Sequence, residues 1–336
     1  MEQQKLLIIG FSCTDTEDGY ATFLTDKLSI ANPSLQVLRC ALGGLAPPVI
    51  PAMLRQILTA EGAFTHVLLE ISTSIYPWLP TSTEEQAEQI VRDTIDAVFE
   101  VGASPFFLLL HRSEEKRKYV DFDSVLRREC QKNDIYYLDL SRNMELVFGR
   151  GWYERHYRDD VHTNEAGGRS QASIALPSII SFLNRKANNA HKERSHNLKR
   201  KAIPLSILTG KEESGFFKRK DLSRPYIVLQ EEEQIDLMFD KPKKLYGVSF
   251  VMGPWSGNFK IELVHANGVE VLRVAAFDER SYYPRLGYRS FSGNEMLEVS
   301  SLRIVFSDRA TDVELMKGDR NPFPCEIRLV DLFAAE

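Results

Sequence analysis

Cysteine is scarce and scattered in this chain. Its 336 residues hold four, Cys13, Cys40, Cys130 and Cys325, none paired at metal-ligand spacing. That pattern excludes a disulfide-stapled scaffold and reads as free thiols in a reducing compartment. Long apolar runs are also missing, so no membrane span is expected. The run from Leu6 to Gly10 is too short for the core of a secretion signal, and acidic residues follow it. The expectation is a cytoplasmic protein. Excess positive charge is lacking as well: 42 Lys and Arg stand against 47 Asp and Glu, a net charge of -5. A protein that tracks phosphates carries the opposite balance, so nucleic acid is not an expected partner. No His, Cys or carboxylate cluster sits at ligand spacing, so neither a metal nor another cofactor is expected.

What is present is an ordinary globular balance, 43% hydrophobic and 26% charged. A chain of this length usually divides its core, so two domains are expected. The first part alternates short apolar runs with helical periodicity. Strands are predicted at Leu6 to Ile9, Leu35 to Leu42, His66 to Ile71, Pro105 to Leu110 and Ile135 to Leu140. Helices are predicted at Tyr20 to Leu28, Ile50 to Leu58, from Thr83, at Phe122 to Cys130 and at Ala166 to Leu183. Strand and helix in repetition mean a three-layer, doubly wound parallel sheet with helices on both faces, an α/β class fold.

From Arg185 to Lys201 the chain turns polar, basic and aperiodic, which reads as a linker. Beyond it lie short runs rich in β-branched and aromatic residues. They are Tyr226 to Leu229, Ile235 to Phe239, Leu245 to Val251, Phe259 to Val264, Val269 to Ala275, Leu302 to Phe306 and Cys325 to Leu332. Turn signals at Pro254, Asn267-Gly268 and Ser292-Gly293-Asn294 separate them. This spacing predicts an all-β sandwich. The expected division is residues 1–185, a linker over 186–201, and residues 202–336.

Three places in the first half carry residue types that do chemistry. Ser12 follows the first strand and Gly10, which puts its hydroxyl at the carboxyl edge of the sheet, where such folds bind ligands. Asp159 precedes His162 by three residues in the loop before the last helix. The carboxylate can then accept a bond from one imidazole nitrogen while the other takes a proton from an alcohol. Gly43-Gly44 follows the second strand and Ser72-Thr73-Ser74 the third, and both are candidates for holding an oxyanion. Taken singly, each has a plainer alternative: a helix cap, a surface histidine, a tight turn, a polar strand end.

Taken together they resemble the SGNH (GDSL-like) hydrolase superfamily over roughly residues 5 to 185. The family's first block, Gly-Asp-Ser, is matched by Gly10-Phe11-Ser12, its second-block glycine by Gly44, its third block by Ser72-Thr73-Ser74-Ile75 and its Asp-x-x-His by Asp159-Asp160-Val161-His162. The resemblance implies a serine esterase with Ser12, His162 and Asp159 as the reacting set. It also implies an oxyanion hole built from the N–H groups of Ser12 and Gly44 with Ser74, or Thr73, in place of the family's asparagine. Phe11 stands where the family has aspartate.

The expected substrate is a small-molecule or saccharide ester. The β-rich second half favours a saccharide by analogy alone, with Tyr282, Tyr283, Tyr288 and Trp255 as aromatic surfaces for a sugar. Acyl transfer to a saccharide and a catalytically silent binding module remain as alternatives. The sequence does not define an oligomeric state. If residues 186–201 join independent cores, limited proteolysis should cut there before it cuts elsewhere, and fragments arising only from the termini would refute the boundary.

Overall fold

Leu6, Leu7, Ile8 and Ile9 are fully buried. A strand with no exposed face belongs in the middle of a sheet covered on both sides. In the computed structural model that strand, β1 (Lys5–Gly10), is flanked in parallel by β2 (Gln36–Ala41) and β3 (His66–Glu70). β4 (Ser104–Leu109) and β5 (Tyr136–Asp139) complete a five-stranded sheet in the order β2-β1-β3-β4-β5. The order reverses direction between β1 and β3, the switch point at which open α/β sheets take their ligands. The structure describes residues 4–74, 82–112, 121–149, 151–185, 199–291, 296–308, 313–318 and 325–336. Most of the expected linker, Ile75 and the Ser292-Gly293-Asn294 turn lie outside them.

The described residues form two compact units. The first runs to residue 185 and also includes Arg219–Leu222; the second comprises residues 199–218 and Ser223–Glu336. In the first unit α1 (Ser12–Asp15) and α2 (Tyr20–Ala31) follow β1. α3 (Ile50–Ala60) follows β2, and α4 (Glu84–Phe99) follows β3. α5 (Phe122–Lys132) joins β4 to β5. Then come α6 (Leu140–Phe148), α7 (Gly151–His156) and α8 (Glu165–Leu183). Leu6, Ile8, Leu68, Phe106 and Leu108 share one core with Leu24 and Leu28 of α2 and Ile179 and Phe182 of α8. Strand alternation turns Leu7 and Ile9 to the opposite face, toward the α3–α4–α5 side. Each such side chain, fully buried, contributes about 1.5–3 kcal/mol. Thr83 starts α4 with a reciprocal cap: its hydroxyl accepts from Gln86 N–H, and its own N–H donates to the Gln86 side chain. Asp221 N–H donates to the Arg39 carbonyl at 3.0 Å, and Arg39 N–H to the Asp221 carboxylate at 2.6 Å. Those bonds cover the outer edge of β2, which the sheet leaves open.

The second unit is β-rich and antiparallel. It contains β6 (Arg200–Pro204), the short α9 (Leu205–Thr209), β7 (Gly215–Arg219) and β8 (Leu222–Gln230). These are followed by β9 (Gln234–Met252), β10 (Asn258–His265), β11 (Gly268–Val274), β12 (Arg285–Ser290), β13 (Leu297–Asp308) and β14 (Glu326–Ala335). The runs Ile235 to Phe239 and Leu245 to Val251, expected as separate strands, are joined through the polar stretch Asp240 to Lys244. In the structure β9 is one strand, which pairs with β13 over its first part and with β12 and β14 over its second. One strand serving both sides lets the unit close as a sandwich around Phe250, Phe259, Ile261, Leu302 and Leu329. Ordered strand begins at Arg200, inside the segment expected to be linker. Tyr288 is packed rather than presented: its hydroxyl donates to the Tyr246 carbonyl and its ring meets Phe333 edge-on. The Trp255 face is covered by the Arg328 guanidinium at 3.8 Å. Among the described residues no helix is long and apolar enough to cross a membrane.

Gly168 shows how closely α8 is seated. A β-carbon there would lie 2.0 Å from the Asp18 carbonyl oxygen. Alanine favours a helix over glycine by about 1 kcal/mol, yet Gly168→Ala is expected to destabilise, by about 1–3 kcal/mol, because backbone has to move. A melting temperature at or above wild type would contradict the packing.

Candidate active site

β1 ends at Gly10 and the chain turns at once into α1, so Ser12 is the first residue of a helix at the carboxyl edge of the sheet. In α1 the N–H groups of Thr14 and Asp15 both donate to the Phe11 carbonyl at 3.1 Å, so it is those of Ser12 and Cys13 that have no acceptor within the helix. Phe11, between Gly10 and Ser12, is fully buried in the core. It anchors the turn by packing.

The histidine arrives on a loop that closes on itself. Tyr157 bridges Thr163, Arg158 N–H donates to the His162 carbonyl at 2.9 Å, and Asn164 N–H donates to the His156 carbonyl at 2.9 Å. Asn164 then caps α8 by accepting from Gly167 N–H at 3.0 Å. Within the loop Asp159 Oδ1 accepts from the N–H groups of Val161 at 3.0 Å and His162 at 2.8 Å. Its Oδ2 lies 2.8 Å from His162 Nδ1. On the other side of the ring, His162 Nε2 lies 2.8 Å from Ser12 Oγ, across 150 positions of sequence. The tautomer that satisfies both ends carries its proton on Nδ1, donated to Asp159, and accepts the Ser12 O–H at Nε2. Burial alone raises the Asp159 carboxyl. The N–H groups of Val161 and His162, with the bond from the His162 ring, outweigh it and hold the carboxyl below its ordinary value.

Cys13 sits beside Ser12 as a buried thiol. Burial first, then the nearby Glu70 carboxyl, push its thiol well above the ordinary value, so it stays protonated. Its Sγ–H donates to the Val161 carbonyl at 3.3 Å, which ties the Ser12 turn to the histidine loop.

The two glycines after β2 occupy different positions. A β-carbon on Gly43 would lie 3.7 Å from Ser12 Cα, so this backbone passes directly alongside the serine. Gly44 has φ +92°, a conformation that favours glycine, and is exposed. Ser74 is half-buried and its hydroxyl donates to the Leu45 carbonyl at 2.9 Å. That bond joins the loop after β3 to the loop after β2. The Thr73 hydroxyl donates to Glu70 at 2.8 Å.

Sequence reasoning passed over two residues here. One is Cys13. The other is Glu70, a fully buried carboxyl at the end of an otherwise apolar strand that touches the Ser12 turn. An ionisable group inside an apolar run was the available signal, since such groups are rarely buried without a partner. Among the described residues no three His, Cys, Asp or Glu side chains cluster as metal ligands.

Neither a protein-family model nor a curated protein matches this chain. Solved structures do. A two-domain esterase active on acetylated mannans is similar with a TM-score of 0.67, over 99% of this chain and 91% of that one, at 14% identity. The same kind of esterase co-crystallised with mannopentaose gives 0.65 over 99% and 90%, again at 14% identity. An acetyl xylan esterase from Geobacillus stearothermophilus gives 0.45 over 55% of this chain and 95% of that one, at 15% identity. At these identities the first two likenesses establish the fold, a parallel α/β unit followed by an antiparallel β unit.

Ser74→Ala strips the Leu45 carbonyl of its donor. The expected loss is about 1 kcal/mol of stability, read as a lower denaturant midpoint at unchanged m-value. An unchanged midpoint would mean that the bond between the two loops contributes nothing.

Proposed function

We propose that this protein is a serine esterase of the SGNH type that removes acetyl or other short acyl groups from a carbohydrate. The observation that carries the reading is the unbroken line of hydrogen bonds from Asp159 through both nitrogens of His162 to Ser12 Oγ, at the switch point of the sheet. Substrate class comes from outside the chain. The solved structures of like fold include esterases active on acetylated mannans, which supports a saccharide.

The chemistry follows from these positions. Ser12 Oγ attacks the ester carbonyl carbon while His162 Nε2 takes its proton. Asp159, held below its ordinary pKa, remains a carboxylate and stabilises the imidazolium that forms. The tetrahedral oxyanion is held by the N–H groups of Ser12 and Gly44, with Ser74 as a third donor. Ser74 serves in that role only by exchanging the Leu45 carbonyl for the oxyanion. Collapse breaks the C–O bond to the sugar, whose oxygen takes the proton from His162. Water then attacks the acyl-enzyme, again with His162 as base, releasing the acid and restoring Ser12. The Asp159 side chain is 52% exposed and that of His162 21% exposed. Water therefore reaches this edge of the site, which favours hydrolysis over transfer to a second sugar.

A fluorophosphonate probe should label the wild type and not Ser12→Ala. Asp159→Asn should leave the fold intact and lower kcat by about a thousandfold or more, because an amide stabilises neither the required tautomer nor the imidazolium. Acetate release from an acetylated mannan, with and without an added sugar acceptor, measures both the activity and its direction. An unlabelled wild-type Ser12 with no ester turnover would end the esterase reading.

A further inference from the structure

We infer that Glu70 is a positioning residue for this site, a buried carboxylate that clamps the Ser12 turn to the loop carrying Thr73 and Ser74. The inference rests on the esterase reading above and concerns how the same site is held in shape. Glu70 ends β3 and is fully buried. Its Oε2 accepts from Phe11 N–H at 3.4 Å and from the Thr14 hydroxyl at 3.4 Å, the residues on either side of Ser12-Cys13. Its Oε1 accepts from Thr73 N–H at 3.2 Å and from the Thr73 hydroxyl at 2.8 Å. One carboxyl oxygen therefore holds the nucleophile turn, and the other holds the residue before Ser74. The strands bring these parts together by register, Gly10 lying opposite Glu70. A β-carbon on Gly10 would lie 2.9 Å from the Glu70 carbonyl oxygen.

All four partners are neutral donors, and that decides which form of Glu70 fits. A carboxylate accepts from all of them. A carboxylic acid brings a proton that only the Thr14 or Thr73 hydroxyl can accept, so one of these must turn and stop donating. Burial pushes the carboxyl up, and the bonds from Thr73, Phe11 and Thr14 pull it back only as far as about 7. The other titratable groups that face it are Cys13 on α1, Tyr20 on α2 and Tyr157 after α7. Burial above all raises each of these, so they stay neutral and set no like charge beside Glu70. A carboxyl whose folded pKa is raised contributes stability that is complete below its ordinary value, near pH 4.5, and is lost as the pH rises through about 7. The form that fits the four donors is thus the form that costs stability. Fold stability alone would favour an apolar residue here, as at Val67, Leu68 and Leu69 of the same strand. A site that needs Ser12 fixed against its oxyanion donors has a use for the carboxylate.

The test is the pH dependence of kcat and KM for wild type, Glu70→Gln and Thr73→Val on one acetyl ester, with melting temperatures and fluorophosphonate labelling rates measured in parallel. In the wild type both His162 and Glu70 must lose a proton for activity, so log(kcat/KM) should fall at acid pH with a slope of two. In Glu70→Gln the slope should drop to one. Its kcat should be lower by about tenfold or more at unchanged KM, since small displacements of a nucleophile cost rate rather than binding. Thr73→Val keeps the charge and removes the shortest of the four bonds. It should lower kcat by less and retain the slope of two. A merely structural Glu70 would lower the melting temperature and leave the slope alone. Wild-type kcat and slope in a folded Glu70→Gln would overturn the inference, as would unchanged kcat in Thr73→Val should Glu70→Gln fail to fold. A wild-type enzyme that neither labels at Ser12 nor turns over an ester overturns the esterase reading and this inference with it. Labelling of wild type and Glu70→Gln at equal rates removes only the role of Glu70.

Discussion

Gly10 at the end of β1 lies in register with Glu70 at the end of β3, and the contact leaves no room for a side chain on the glycine. Everything at the candidate site is built outward from that pairing. The next residue, Phe11, is buried, and Ser12 opens α1 at the edge of the sheet. On the neighbouring strand the chain runs from Glu70 into Ser72, Thr73 and Ser74. A slip of one residue between β1 and β3 would carry Gly10 away from Glu70. The core holds the two strands together, and the bonds at Glu70 hold the Ser12 turn at their end.

The histidine is placed by different means. Asp159 and His162 form their bonds inside a short loop, through side chain and main chain together. That loop reaches Ser12 only because α8 lies against α2, with Gly168 close enough to the Asp18 carbonyl to exclude a β-carbon. The Thr163 hydroxyl donates to the same carbonyl at 3.3 Å, and the Cys13 thiol reaches the Val161 carbonyl. Two neighbouring bonds and one close approach thus set a 2.8 Å contact between groups 150 residues apart. The arrangement puts Asp159 and His162 on a loop at the surface held by a rigid scaffold.

In the second unit one long strand, β9, supplies partners on two sides. Its interior also keeps charge: Asp331 is fully buried and paired with Arg224, and Ser249 donates to the carboxylate while its hydroxyl accepts from Asp331 N–H at 3.1 Å. A buried pair of this kind is weak evidence for stability, because desolvation offsets much of the attraction. The aromatic residues offered for sugar stacking are in part committed elsewhere, Tyr288 to Tyr246 and Phe333, and Trp255 to Arg328.

The strand–helix order of the first unit was legible in the sequence because burial on both faces forces short, wholly apolar strands, and helix periodicity separates them. The Asp-x-x-His spacing was legible because the two residues meet within one loop. Ser12 was marked by its place after a buried strand. Other features depended on the tertiary structure. α6 and α7 are too short for periodicity to declare them, and β9 reads as two strands because its polar middle separates two apolar runs. The placement of residues 219–222 along the edge of β2 follows from contacts far apart in sequence. The convergence of Ser12 on His162 and the four bonds at Glu70 are of the same kind. Local sequence determines which face of an element is apolar and which loops carry reactive groups. Which loop ends beside which is decided by sheet order and helix packing, through close contacts between residues that the chain itself keeps far apart.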